Sequence, residues 1–259
     1  MLWREDVPPY IWHGPFVFPL NLPGTGTMAG NPSMIQGRFG RRGNFELVTP
    51  VGAGGLAHYW RDNDDPNLTW HGPTIFAQDI GVFDAVSLIQ SDFGSPGGPG
   101  NLELIARVGG ELFHYWRQDV PPWQWSGPDV LPLSAPGQNV RLVSGYPSFI
   151  ESRFGPFMKG YFQVVTPLAN GGLAHYTRDN NTAGLPWNGP EIFGAEVGKF
   201  DAVSLIQSTF SSSNTGVGNL ELVASIADVL LHFWREDITQ IADVTEFSEL
   251  WYGPWIVTL

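Results

Sequence analysis

The sequence predicts an all-β protein: a β-propeller of about five blades, made of four full four-stranded repeats and an N-terminal half repeat. Three observations predict it. A phrase of the form His-aromatic-Trp-Arg recurs, and Arg4, Arg61, Arg117, Arg178 and Arg235 stand 57, 56, 61 and 57 positions apart. Glycine and proline, 32 and 22 of 259 residues, interrupt the chain every few residues and leave short aromatic and β-branched runs between them. Those runs alternate: Asn44-Phe45-Glu46-Leu47-Val48 places polar and apolar side chains on opposite faces, as a strand requires.

The elements follow in order. The half repeat reads "LWREDVPPYIWHGPFVF" from Leu2 and contains only the second half of a unit. The first full unit opens with an apolar strand at Met34-Ile35-Gln36, turns through glycines, and runs on into "NFELVTP". It ends with "HYWRDNDDPNLTWHGPTIF" from His58. The second unit repeats this with Leu88-Ile89-Gln90, "NLELIARV" and "HYWRQDVPPWQWSGPDVL" from His114. The third has Phe149-Ile150-Glu151 and "HYTRDNNTAGLPWNGPEIF" from His175; the fourth has Leu205-Ile206-Gln207 and "HFWREDITQIADVTEFSELWYGPWIV" from His232. A longer period overlies the short one. "FDAVSLIQSDF" at Phe83 returns as "FDAVSLIQSTF" at Phe200, so alternate units are the closest relatives. The repeats span residues 1–259 and predict one domain. Two arrangements satisfy the count: five blades with one incomplete, or a four-bladed ring with an N-terminal extension.

Composition narrows the function. The formal charge of −12 argues against nucleic acid, whose phosphates favour a basic face. The absence of cysteine removes disulfides, thiolate metal sites and cysteine nucleophiles. No apolar run is long enough for a membrane helix, and the start shows no secretory signal, so a cytoplasmic protein is expected. Metal is not expected either. "RDNDDPN" at Arg61 lacks the glycine and distant Glu of an EF-hand loop, and four histidines at one strand position are too far apart in sequence to imply a shared ion. No phosphate-binding loop or nucleophile elbow occurs, and no cofactor is implied.

In "LAHYWRD", strand alternation puts His58 and Trp60 on one face and Tyr59 and Arg61 on the other, so His58 and Arg61 do not converge. A cluster written in every repeat reads first as architecture, with tryptophan filling space between blades and Arg pairing with acids or carbonyls. Its functional reading is sugar binding, in which an aromatic platform takes a C–H face and a charged fork takes the hydroxyls. The candidate ligand-binding residues are Trp60, Arg61 and Trp70; Trp116, Arg117 and Trp125; Thr177, Arg178 and Trp187; and Trp234 and Arg235. Thr177 stands where the other full units have tryptophan. The innermost strands add Gln36, Gln90, Glu151 and Gln207, followed two residues later by Arg38, Asp92, Arg153 and Thr209. That variation marks Arg38 and Arg153 as candidates for a central pocket. Glu46, Glu103 and Glu221 recur by unit and read as architectural.

"GNLELIARVGGELFHYWR" followed by "WSGP", and the same frame in the other units, resembles the β-propeller lectins of bacteria and fungi, above all the Photorhabdus-type fucose-binding lectins. The resemblance covers nearly the whole chain. It implies binding of fucose or related sugars between neighbouring blades, without catalysis. The chain departs from that pattern in having fewer blades, in Thr177, and in the insertion "ITQIADVTEFSE" of the last unit. Lectin-like propellers also accompany fungal secondary-metabolite enzymes. That likeness implies the alternative: an aromatic cavity for an apolar small molecule, extending to a cofactor-free cyclase of the hetero-Diels–Alder type. The expected partners are therefore glycans or a small-molecule ligand, with a homodimer raised by the incomplete half repeat.

Overall fold

The computed structural model describes residues 2–15, 27–134, 139, 142–153, 159–210, 217–236 and 250–257. The insertion of the last unit lies outside the described residues. Among them every regular element is a strand. A two-stranded sheet, β1 (Trp3–Arg4) and β2 (Trp12–His13), precedes four four-stranded antiparallel sheets. Blade 1 comprises β3 (Ser33–Gln36), β4 (Phe45–Pro50), β5 (Leu56–Arg61) and β6 (Trp70–Phe76). Blade 2 comprises β7 (Ala85–Gln90), β8 (Leu102–Val108), β9 (Glu111–Arg117) and β10 (Trp125–Val130). Blade 3 comprises β11 (Ser148–Ser152), β12 (Tyr161–Pro167), β13 (Leu173–Asp179) and β14 (Asn188–Phe193). Blade 4 comprises β15 (Ala202–Gln207), β16 (Leu220–Ile226), β17 (Val229–Arg235) and β18 (Tyr252–Ile256). Each is a simple meander, first strand to fourth, as the repeat predicts.

Alternation gives each blade two faces, and the blades stack front to back. The front of blade 1 (Val48, Leu56) packs on Leu88, Leu104, Ala106 and Tyr115 at the back of blade 2. Ile105 and Leu112 of blade 2 meet Phe162, Val164 and Tyr176 of blade 3 in the same way. Val165 and Leu173 of blade 3 meet Leu220, Leu222 and Phe233 of blade 4. These three apolar layers are each shared by two blades, while a fourth, Leu47, Val51, Ala57 and Tyr59 with Trp70 and Ile75, lies within blade 1 on its back.

The first strands touch in succession, β3 with β7, β7 with β11 and β11 with β15, which makes them the inner strands of the row. A repeated hydrogen bond stitches them. The side-chain oxygen of Gln90 accepts from the Arg38 amide, Glu151 from the Asp92 amide at 2.7 Å, and Gln207 from the Arg153 amide at 2.7 Å. Ser33 and Ser148 add a second stitch by accepting from the Leu88 and Leu205 amides at 3.0 and 2.9 Å.

The "Trp-x-Gly-Pro" turn has its own geometric reason. Gly72, Gly127, Gly189 and Gly253 have φ between 107° and 121°, and a Cβ on each would sit 2.7 Å from the carbonyl oxygen of His58, His114, His175 and His232 respectively. Only glycine satisfies both demands. The prolines after them are joined by cis peptide bonds. The turn pins the fourth strand onto the third beside the histidine and breaks the pairing register there.

Candidate functional site

Three of the four third-strand histidines, His58, His114 and His175, are met by residues of the blade that follows. His58 is buried, and its Nε2–H donates to Glu46 of the same blade at 2.7 Å. From blade 2, Arg117 pairs with the other oxygen of Glu46 at 3.5 Å, and the Trp125 ring stands edge-on to His58 at 5.5 Å. At the next junction His114 donates to Glu103 at 2.8 Å, while Arg178 of blade 3 donates to His114 Nδ1 at 3.3 Å and Trp187 stands at 5.5 Å. At the third, His175 faces Gln163 at 2.7 Å, Arg235 at 2.9 Å and Trp251 at 5.3 Å.

Guanidinium and indole N–H groups only donate, so Nδ1 of His175 accepts from Arg235 and Trp251. The ring proton therefore lies on Nε2, pointing at Gln163. The same reasoning fixes His114, with Nε2–H toward Glu103. Burial pushes the His58 and His175 imidazoles below their ordinary range and keeps them neutral. Burial likewise lowers Arg117 and Arg178 from the usual arginine range. Asp129 of the fourth strand approaches the same His114 Nδ1 at 3.8 Å.

Two junctions open into clefts. Between blades 1 and 2 lies a space of about 470 Å³, lined by Phe39, Asn44, Glu46, His58, Trp60 and Thr74 from blade 1 and by Arg117, Pro122 and Trp123 from blade 2. Trp60 stacks on His71 at 4.2 Å, which fixes its ring as one wall. Trp123 is half exposed and has a left-handed backbone (φ 52°) just after a cis Pro-Pro bond. Between blades 3 and 4 the matching space is about 600 Å³ and polar, lined by Tyr161, His175, Thr177, Asp179, Thr182, Glu191 and Arg235. Thr177 occupies the Trp60 position, Gln163 that of Glu46 and Glu191 that of Thr74, and Glu191 accepts from Arg235 at 2.8 Å.

The residues singled out from sequence are spread over several parts of the blades. Trp60 with Arg117, and Thr177 with Arg235, come together in the two clefts. Trp116 and Arg178 flank His114 at the middle junction, with Trp116 stacked on the imidazole at 5.6 Å. Trp125 and Trp187 serve as edge-on partners of the histidines, with their indole nitrogens buried and without a hydrogen-bond partner among the described residues. Arg61 hydrogen-bonds Asn63 and lies over Phe45 and Trp70, on the back of blade 1. Trp234 stacks on Tyr252 at the front of blade 4. Arg38 pairs with Asp92 at 2.7 Å on the inner rim, and Arg153 is exposed there. Sequence reasoning did not find Phe39, Trp123, Tyr161, Asp129 and Glu191. The aromatic that follows Pro-Pro in both "PPY" and "PPW" was the available signal for Trp123.

Among the described residues no helix could cross a membrane, and no group of three or more His, Cys, Asp or Glu could hold a metal ion. No protein-family profile matches the chain, and no curated protein sequence matches it. Among solved structures the chain is similar to the BP39L lectin from Burkholderia pseudomallei, with a TM-score of 0.59 and 18% sequence identity. The match covers 96% of this chain and 60% of that one. The fold is a lectin-like β-propeller arrangement.

Proposed function

We propose that the protein binds carbohydrate at its blade junctions, with the cleft between blades 1 and 2 as the principal site. One observation carries this reading. Trp60 and Trp123 face a space that also presents Arg117, Glu46 and Asn44, so aromatic platforms and polar forks meet in one cleft. A saccharide needs that combination: its C–H face stacks on a ring while its hydroxyls take charged or amide partners. The likeness of the fold to a lectin supports it, and the likeness of the repeats to fucose-binding lectins favours fucose-like sugars. The polar cleft at Thr177 supports a second, weaker site, and two weak sites on one body reinforce each other on a multivalent surface.

A glycan array of the purified protein with fucose competition tests the reading. Saturable binding that free sugar abolishes, and that Trp60→Ala weakens about tenfold, is the expected result. A blank array from folded protein refutes it. The second reading uses the same cleft: its rings would hold an apolar metabolite, Arg117 would polarise it, and cyclisation would need no cofactor. Binding of aromatic or polyene compounds after a blank array favours that alternative.

A further inference from the structure

Three of the four histidine-bearing faces are closed by a following blade, and the fourth is open. Val223 and Leu230 occupy on blade 4 the positions of Val48 and Leu56, Ile105 and Leu112, and Val165 and Leu173. Those six are at most 1% exposed, whereas Val223 is 37% and Leu230 42% exposed. Ile206 and Trp255, paired with Glu221 and His232 on the same face, are exposed as well. His232 makes its half of the junction by donating to Glu221 at 2.8 Å. No arginine or tryptophan of a following blade stands against it among the described residues.

The small sheet β1–β2 has the complementary residues. Arg4 pairs across the sheet with Trp12, as Arg117 pairs with Trp125. Trp3 stacks on His13 at 4.1 Å, as Trp60 stacks on His71 at 4.2 Å. The half blade therefore obeys the same face assignment. Arg4 and Trp12 lie on the back, the face that in blades 2 to 4 delivers Arg and Trp to the preceding histidine. Trp12 is exposed, and neither β1 nor β2 packs closely on a full blade.

We infer that the open front of blade 4 is the docking surface for the half blade of a second copy of this chain, which sets Arg4 and Trp12 against His232 and builds a fourth His–Arg–Trp junction from two chains. The occupant is a second copy because the chain's own half blade is tied to the far end of the row. Its connection reaches Met28, which bridges to Val51 at the end of β4 in blade 1, with blades 2 and 3 between blade 1 and blade 4 along the row. Reciprocal exchange of half blades closes a two-fold pair, the symmetry that most homo-oligomers adopt. The apolar front of blade 4 then meets the kind of surface that covers its counterparts. The inference concerns assembly and stands whatever the junction clefts bind.

Light scattering across a wide concentration range, with far-UV circular dichroism of each variant, tests it. The protein is expected to be a dimer, and Leu230→Glu and Arg4→Glu each to halve its mass with an unchanged spectrum. The chain has no cysteine, so the Arg4→Cys and His232→Cys proteins can be mixed with a short bismaleimide. A covalent two-chain product is expected from the mixture, and none from either protein alone. Should Leu230→Glu fail to fold, the exposed Arg4→Glu and the cross-link still decide. A monomer at all concentrations overturns the inference, as does a dimer that neither substitution disturbs. Cross-linking only within a single doubly substituted chain also overturns it, in favour of the chain's own half blade.

Discussion

The junction of blades 1 and 2 and that of blades 3 and 4 hold the same histidine, arginine and tryptophan, yet one opens onto aromatic rings and the other onto polar side chains. His58, Arg117 and Trp125 correspond to His175, Arg235 and Trp251. Around them Trp60, Glu46 and Thr74 give way to Thr177, Gln163 and Glu191. The carboxyl group has moved from the buried second strand to the partly open fourth, and the ring that narrowed the cleft is gone. The shared residues hold blades together, and the residues that differ set what each cleft can bind.

The largest expected difference lies in the arginines. Arg117→Ala leaves Glu46, buried to 1% exposure, without its cation and should cost about 3–5 kcal/mol of stability. Arg235→Ala leaves a neutral Gln163 and a Glu191 whose side chain is 31% exposed, and should cost about 1–2 kcal/mol. Urea denaturation of the two variants checks the difference, and equal losses would break the comparison.

The inner rim gives the next effect. Gln90 and Gln207 accept the same amide bond that Glu151 accepts between blades 2 and 3, and burial raises the Glu151 carboxyl to about 7. A folded pKa above the unfolded one means that the native state binds the extra proton between about pH 4.5 and 7, so stability is lost as pH rises through that window. Glu151→Gln should therefore stabilise the protein by on the order of 2 kcal/mol at pH 8, and by little at pH 4. Thermal melts at the two pH values measure this.

The histidines act in the opposite sense. Their folded values are lowered by burial, so their contribution is complete above the unfolded value of 6.5 and falls as pH drops below it. His58→Gln and His175→Gln should flatten the melting temperature between pH 6.5 and 5 relative to the parent protein. The smallest stability change belongs to the polar cleft. Thr177→Trp should shift stability by less than about 1 kcal/mol and turn the polar cleft toward the aromatic chemistry of its counterpart. Titration with the sugar bound at the Trp60 cleft would read the gain.

The fold was legible because a blade must satisfy the same constraints each time it is written. Gly127 is fixed by the carbonyl of His114, and Tyr115 by the layer it shares with blade 1. Such requirements leave the same letters at the same spacing. The junction was not legible for the same reason. Strand alternation separates His58 from Arg61, and correctly, because Arg61 lies on the back of its blade over Phe45. The arginine that approaches His58 is Arg117, 71 positions from the Glu46 that both contact. Repetition disguised a contact between unlike positions of successive units as a motif within one unit. Trp123 and Glu191 went unseen because they lie where the units differ, on connections and fourth strands whose facing blade the sequence does not name.

The measurement closest to the central claim is a crystal structure of the protein soaked in fucose. The sugar is predicted between Trp60 and Trp123, its apolar face on an indole and its hydroxyls within hydrogen-bonding reach of Arg117 and Asn44. Crystals that leave the blade junctions empty, or that hold the sugar at the inner rim beside Arg38 and Arg153, would contradict the account.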